Sequence, residues 1–188
     1  MLARPLTRSR SALWAPALAT ALFALGAAAC NSRPRALAGS GAPGAGSASA
    51  IKRSSAKPGF SPRPRDGRPV EQFVQEQVER AETDGARVVV YVGASWCEPC
   101  RHFHEALEHG ELDRALAGTR FLEFDADRDG RELRAAGYTS KYVPLFGIPD
   151  PDGRASGLMI EGSVKGPSAV AENLLPRLVA LLDGRKVE

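Results

Sequence analysis

The chain of 188 residues is poor in acidic residues at its beginning and poor in aromatic residues throughout. Residues 1–69 contain eleven Lys and Arg but a single acid, Asp66, whereas residues 70–188 contain 14 Lys and Arg against 21 Asp and Glu, a net charge of −7. Aromatic residues make up 6% of the chain, and the acidic part does not interleave them with basic residues. Such a domain has no electrostatic basis for binding nucleic acid, so that class of function is excluded.

Bulky apolar residues are scarce between residues 31 and 69, where Gly, Ala, Ser, Pro and Arg dominate and Ile51 and Phe60 are among the few exceptions. A segment of this composition cannot bury enough apolar surface to offset the entropy lost on ordering it. We therefore expect a disordered tether over 31–69, with an r.m.s. reach of about 35 Å. The remaining residues, 70–188, are enough for one small folded domain.

Cysteine is also scarce, with three residues, and the first of them, Cys30, ends a predicted export signal over residues 1–30. Three arginines within the first ten residues precede an apolar stretch over 12–29, which is the layout of a signal peptide. Residues 25–30, Leu-Gly-Ala-Ala-Ala-Cys, resemble a bacterial lipobox, in which the cysteine is lipidated and anchors the mature chain to the membrane. Cleavage after Ala29 by the ordinary signal peptidase and an uncleaved anchor are the alternatives. All three place the domain outside the cytoplasm.

The other two cysteines, Cys97 and Cys100, follow an apolar run of strand length over 87–94 and precede a helical pattern. In that position Cys97 lies on the first turn of a helix, where unpaired backbone N–H groups and the helix dipole favour an anion. A cysteine at a helix N-terminus in a Cys-x-x-Cys pair has its pKa lowered from ~8.5 to about 7 or below. The spacing therefore indicates redox chemistry at a reactive thiolate.

Hydrophobic periodicity divides residues 70–188 into helices and strands. The predicted elements are a helix over 70–84, strands over 87–94, 121–124, 143–148 and 158–160, a helix after the cysteines that continues over 112–116, and helices over 131–136 and 168–182. This order predicts an α/β fold of three layers, in which a mixed sheet of about four strands carries helices on both faces.

The segment Trp96-Cys97-x-Pro99-Cys100 after an apolar strand, Pro144 47 residues after the first of these cysteines, a β-hairpin and a last amphipathic helix together resemble the thioredoxin family. The resemblance covers most of residues 70–188 and is strongest to extracytoplasmic domains of thiol–disulfide exchange. It implies that Cys97 is the exposed nucleophile that forms a mixed disulfide with a substrate. Cys100 is then the resolving cysteine, and the two form the Cys97–Cys100 disulfide of the oxidised protein.

The resemblance also implies which residues bind substrate and which tune the cysteines. Trp96 matches the aromatic residue beside the site, Pro144 matches the cis-proline that faces the disulfide, and the backbone of Val143 matches the strand-like contact with a substrate chain. Pro99 and Glu98 lie between the cysteines and tune them. We expect protein disulfides as substrates, an electron donor that the sequence does not identify, and a monomer without cofactor or metal.

Two positions depart from the family pattern. Tyr91 stands six residues before Cys97, where the family has a buried acid that accepts the proton of the resolving thiol, and a phenol is a poor base at neutral pH. Glu98 replaces the more common glycine, and a carboxylate beside the thiolate disfavours its ionisation. We therefore expect a site that acts in the reducing direction, with its second step supported by water, Glu98 or another group.

Three alternatives remain beside the redox enzyme. The first is a non-catalytic thioredoxin-fold module that binds a partner peptide or metal at the face formed by the cysteines and Pro144. The second is a structural disulfide, which so short a loop makes a weak stabiliser. The third is a metal site of Cys97, Cys100, His102 and His104, which one helix cannot bring together because His102 lies on the far side from Cys97.

Overall fold

The structure, a computed structural model, describes residues 53–186, which form a five-stranded mixed sheet with helices on both faces. In chain order the elements are β1 (Gly59–Pro62), α1 (Val70–Asp84), β2 (Arg87–Gly93), α2 (Glu98–Glu108), β3 (Thr119–Asp125), α3 (Ala126–Ala135), β4 (Leu145–Pro149), β5 (Ala155–Glu161), a π-helical turn (Val170–Leu174) and α4 (Leu175–Leu182). The predicted export signal, Cys30 and the predicted tether up to residue 52 lie outside the described residues.

The sheet has the strand order β1-β3-β2-β4-β5. The first three of these strands are parallel, and β4 and β5 are antiparallel to their neighbours. In the register of the central strands, Tyr91 lies beside Glu123 on one side and beside Phe146 on the other. The predicted α/β fold of three layers is confirmed, and the four predicted strands are present as β2 to β5.

β1 is the element that the sequence prediction missed, because it lies inside the segment predicted as a tether. It pairs in parallel with β3 at the edge of the sheet, with Phe60 beside Phe121. The residues before it are also hydrogen bonded, since the Ser54 N–H donates to the carbonyl of Gly85 at 2.8 Å. The domain therefore begins before residue 70, and the sheet has five strands rather than about four. The local composition does not predict this strand, because the hydrogen bonds that order it come from β3.

Two helical predictions also needed correction. The segment over 112–116 forms turns and does not continue the helix, because Gly110 adopts φ 76° and leaves the helical region. The helix expected over 131–136 begins earlier, at Ala126. Its start is fixed by Asp125, whose carboxylate accepts hydrogen bonds from the backbone N–H groups of Asp127 and Arg128 at 2.9 and 2.8 Å.

The sheet separates two hydrophobic clusters. The cluster on the side of α2 and α4 contains both cysteines and most of the aromatic rings, among them Tyr91, Phe103, Phe121 and Phe146. The cluster on the side of α1 and α3 is mainly aliphatic, with Val70, Val74, Val90, Leu122, Leu133 and Leu145. The cysteines are therefore built on the aromatic side of the sheet. None of the helices between residues 53 and 186 has the length and apolar character needed to cross a membrane.

A buried ion network ties the chain after β1 to α3. The carboxylate of Asp129, 3% exposed, lies 2.9 Å from Arg63 and 2.7 Å from Arg128 and accepts the Asp125 N–H at 2.9 Å. Arg63 also pairs with Glu132 at 2.6 Å. Burial alone would raise the pKa of Asp129, but the hydrogen bonds from Arg128, the Asp125 backbone and Arg63 together hold it below its ordinary value. The network therefore needs the ionised carboxylate.

Candidate active site

Cys97 lies at the N-cap of α2, directly after the turn that follows β2. Its sulfur accepts a hydrogen bond from the Cys100 N–H at 3.2 Å and is bonded to the sulfur of Cys100 at 2.02 Å. Pro99 occupies the first turn of the helix, where its missing N–H has no helical partner to lose. The pair thus stands at the helix start that its spacing predicts.

Both cysteines are buried in the disulfide form, with Cys97 5% and Cys100 3% exposed. The expectation of an exposed Cys97 is wrong for this state, because as half of the disulfide it packs with Cys100 into the aromatic cluster. The exposed group beside the pair is Trp96, at 67% exposure, and its Nε1 donates to a carboxylate oxygen of Asp127 at 2.9 Å. The indole is therefore an exposed side chain directly next to the disulfide.

The structure places Val143 and Pro144 just before β4, joined by a cis peptide bond. Val143 packs against the cluster that contains the cysteines, and Pro144 is buried. A groove of about 340 Å³ is lined by both Trp96 and Val143, with the exposed ring of Tyr142 at its edge. Of the three residues that the resemblance implied for substrate binding, Trp96 and Val143 thus border this groove beside Tyr142, and Pro144 does not.

The carboxylate of Glu98 does not point freely into solvent. One of its oxygens accepts the backbone N–H of Gly166 at 3.1 Å and lies 3.7 Å from His102 Nε2. Glu98 therefore ties the start of α2 to the segment after β5. It still adds one negative charge in the residue next to Cys97, where ionisation of a thiol is sensitive to charge.

Tyr91, at the position where the resemblance leads us to expect a buried acid, is almost fully buried, at 1% exposure. Its hydroxyl has no hydrogen-bond partner in the described part of the chain. The hydroxyl lies over Gly93, where an added Cβ would come within 2.5 Å of it, so the glycine makes room for the ring. Burial, with a smaller effect of the Glu123 charge, raises the pKa of Tyr91 far above its ordinary value. The phenol stays protonated and cannot serve as a base.

A cavity of about 560 Å³ with both polar and apolar groups on its walls lies beside Cys100 and Tyr91. His104 and Glu123 also line it, and His104 Nε2 lies 3.1 Å from a Glu123 carboxylate oxygen. The ring of Phe60 stacks on the imidazole, with centroids 4.0 Å apart and planes at 14°. The sequence places His104 one turn after Cys100, as a packed helix residue or a proton shuttle, but does not predict its pairing with Glu123, although the alternation within 121–124 places Glu123 on the same face of the sheet as Phe121.

The histidines do not gather around the cysteines. His102 lies near Glu98 and Glu105, whereas His104 lies near Glu123 on another side of α2. In the part of the chain from 53 to 186, no three or more His, Cys, Asp and Glu side chains are placed to hold a metal ion.

Part of the chain is similar to known proteins. A family model described as thioredoxin-like matches residues 70–151. Solved structures with similar folds include a thioredoxin of Trichomonas vaginalis (14% identity, 70% of this chain and 99% of that one, TM-score 0.42), thioredoxin O1 of Arabidopsis thaliana in the oxidised state (17%, 70% and 99%, 0.41) and a poplar thioredoxin h (22%, 66% and 96%, 0.42). A search of curated proteins found no match. The thioredoxin-like fold and the Cys97–Cys100 disulfide support thiol–disulfide oxidoreductase activity. Over residues 70–151 the chain is therefore similar to the thioredoxin-like family.

Proposed function

We propose that this protein is a membrane-tethered, extracytoplasmic oxidoreductase that reduces protein disulfides through Cys97 and Cys100. The observation that carries the proposal is the disulfide between the N-cap and the first turn of α2. The export signal and the lipobox-like end at Cys30 support the location. The proposed membrane anchor is a lipid attached to Cys30, and the residues that follow it serve as a spacer.

In the first step the Cys97 thiolate attacks one sulfur of a substrate disulfide. A bond forms between Cys97 and that sulfur, and the other substrate sulfur leaves as a thiolate. The unpaired N–H groups at the start of α2, including that of Cys100, stabilise the attacking anion. The residues that border the groove, Trp96 and Val143, are placed to contact the substrate chain on either side.

In the second step Cys100 loses its proton and attacks the sulfur of Cys97. The Cys97–Cys100 disulfide forms and the second substrate sulfur leaves, so the substrate gains two electrons and the protein loses two. Regeneration requires a dithiol donor, which reduces the disulfide by the same exchange in reverse order. The donor is the partner that completes the cycle.

The reducing direction is supported by Glu98. A negative charge next to Cys97 opposes the thiolate and so favours the disulfide over the dithiol, which makes the dithiol a better reductant. Its carboxylate is held in place by the Gly166 N–H, so that this charge has a fixed position.

Insulin reduction with dithiothreitol as the donor tests the enzymatic step. All variants carry Cys30→Ser, so that only the two site cysteines react. We expect Cys97→Ser to abolish turnover. We expect Cys100→Ser to lose turnover too but to retain mixed disulfides, which mass spectrometry identifies by partner and by attachment to Cys97. Activity that survives in Cys97→Ser would contradict the proposal.

A second candidate is a non-catalytic module that binds a partner peptide beside Pro144. The observations that favour it are the buried Tyr91 in place of an acid and the low exposure of Cys97. The reduction potential separates the two candidates. Equilibration of the Cys97–Cys100 pair with a glutathione buffer within minutes supports the enzyme, and a pair that does not exchange supports the binding module.

A further inference from the structure

We propose that His104, supported by Glu123, accepts the proton that the Cys100 thiol loses when it releases a substrate. The inference deepens the proposed function and rests on it. It gives the second step a proton acceptor at a place where the family's buried acid is replaced by Tyr91.

The second step needs an acceptor because Cys100 is only 3% exposed, and burial disfavours the thiolate form of a cysteine. Tyr91, which stands on β2 where the family has its buried acid, is a protonated phenol without a hydrogen-bond partner in the described chain. Glu98 is turned towards Gly166 and does not line the cavity beside Cys100. Neither of these residues is therefore placed to take the proton.

His104 is placed to do so. It lies one helical turn after Cys100, and side chains at this spacing on a helix are neighbours, with Cβ atoms about 5–6 Å apart. Both residues line the cavity of about 560 Å³, which has several charged side chains on its walls and is large enough to admit water. A single water molecule in this cavity can connect the thiol with the imidazole.

Glu123 makes the imidazole a better acceptor. Its carboxylate oxygen lies 3.1 Å from His104 Nε2, and both side chains are about one-third exposed, at 32% and 31%. A negative charge at this distance stabilises the imidazolium that forms on proton transfer. Phe60 stacks on the ring and limits its rotation, so that the pair keeps its position beside the cavity.

Other charged groups also face the imidazole from the elements around it. They line the same cavity: Arg63 and Arg65 after β1, Arg101 on α2, Asp125 at the end of β3 and Arg128 on α3. Arg63 and Arg128 are paired with the buried carboxylate of Asp129, which compensates part of their charge. Among the described residues, Glu123 is the acidic group within 4 Å of the ring.

The Cys100 proton passes through water to a ring nitrogen of His104, and the Cys100 sulfur forms its bond with the sulfur of Cys97. The substrate thiolate leaves from Cys97. The imidazolium returns its proton to solvent at the open side of the cavity, or to the leaving thiolate.

The test follows the two steps separately with glutathione disulfide as the probe, in full-length protein that carries Cys30→Ser. The reduced protein is mixed with the probe and quenched with acid, and mass spectrometry gives the fraction of mixed disulfide over time. We expect His104→Gln to form the mixed disulfide at the wild-type rate and to resolve it about 100-fold more slowly. His109→Gln, at the exposed far end of α2, is the matched control and should leave both rates unchanged.

Two readouts separate proton transfer from a structural role. An imidazole changes charge between pH 5 and 8, so the wild-type resolution rate should rise with pH and level off within this range once the imidazole is neutral. The rate of His104→Gln should be lower and should keep rising over the whole range, because it follows the thiolate fraction of Cys100. Added imidazole should restore resolution in His104→Ala, and Glu123→Gln should weaken the rise with pH. Resolution of His104→Gln at the wild-type rate, or slow resolution of His104→Ala that imidazole does not restore, would overturn the inference. A wild-type protein that forms no mixed disulfide would instead overturn the proposed function.

Discussion

The segment around β1 and the unit formed by β2 and α2 contribute to the same site but are encoded in different ways. β2 and α2 carry their own signals, because an apolar strand, a turn and a helix with proline in its first turn follow each other in the sequence. β1 has four residues and one large apolar side chain. The segment is ordered by the pairing of β1 with β3, by the contact of Phe60 with α2, and by the ion pair between α3 and Arg63, which follows β1. The difference shows that a short edge strand can be specified almost entirely by its partners.

Among the variants that test how the segment around β1 is held, Asp129→Ala is expected to lose the most free energy of unfolding. The variant leaves Arg63 and Arg128 without their buried partner, and breaking a buried ion pair from one side costs about 3 kcal/mol. Urea unfolding at neutral pH measures the loss. Glu132→Ala, which removes a half-exposed partner of Arg63, is the matched control and should cost less. Equal losses in the two variants would show that burial of Asp129 does not matter.

The same carboxylate predicts an acid dependence. Because the pKa of Asp129 is lower in the folded protein, its contribution to stability is present above the unfolded value of about 3.9 and is lost as pH falls through the folded value. We expect Asp129→Asn to be less stable at neutral pH and to show less of this loss below pH ~4. A parallel pH profile of stability for wild type and variant would contradict the assignment.

A smaller effect is expected from Phe60→Ala, which removes the main apolar contact of β1. The ring stacks on His104 and packs within 6 Å of the centroids of Tyr91, Phe103 and Phe121. Because the ring is half-buried at the sheet edge, we expect a loss of about 2 kcal/mol, below the range for a fully buried phenylalanine. Hydrogen exchange should locate the loosened amides in β1. Phe60→Leu keeps apolar volume and should retain most of the stability.

The smallest effect is expected from Gly118→Ala. Gly118 has φ 70°, and an added Cβ would collide with the carbonyl oxygen of Ser54. We expect a loss of about 1 kcal/mol from the left-handed backbone, together with displacement of the chain before β1. Gly157→Ala is the control, since φ is 85° there but the added Cβ meets open space. If the amides of residues 54–56 exchange equally in both variants, the contact with Ser54 does not order this segment.

The fold of residues 70–186 follows from the sequence to a large extent. The apolar periodicity of α1 and the continuous apolar run of β2 predict their bounds within a residue or two. The helix start at Cys97 follows from the strand–turn–helix pattern. β1 could not be found in this way, because local composition does not contain the contribution of β3 that orders it.

The candidate site also has parts that the sequence predicts and parts that it does not. The positions of both cysteines and the absence of an acid at Tyr91 are visible in the sequence. The cavity behind Cys100 is not, because it is lined by residues from five strands and helices that are distant in the chain, such as Pro62, His104 and Glu123. Pairing of an imidazole with a carboxylate across α2 and β3 becomes visible only when the register of the sheet is known.

The most direct measurement is the pH dependence of alkylation of each cysteine in the reduced protein, followed by peptide mass spectrometry with iodoacetamide. We expect Cys97 to react faster than Cys100 and to reach half its maximal rate at a pH well below ~8.5, the pKa of a free thiol. Half-maximal alkylation of Cys97 at or above that pH, with no advantage over Cys100, would contradict this expectation.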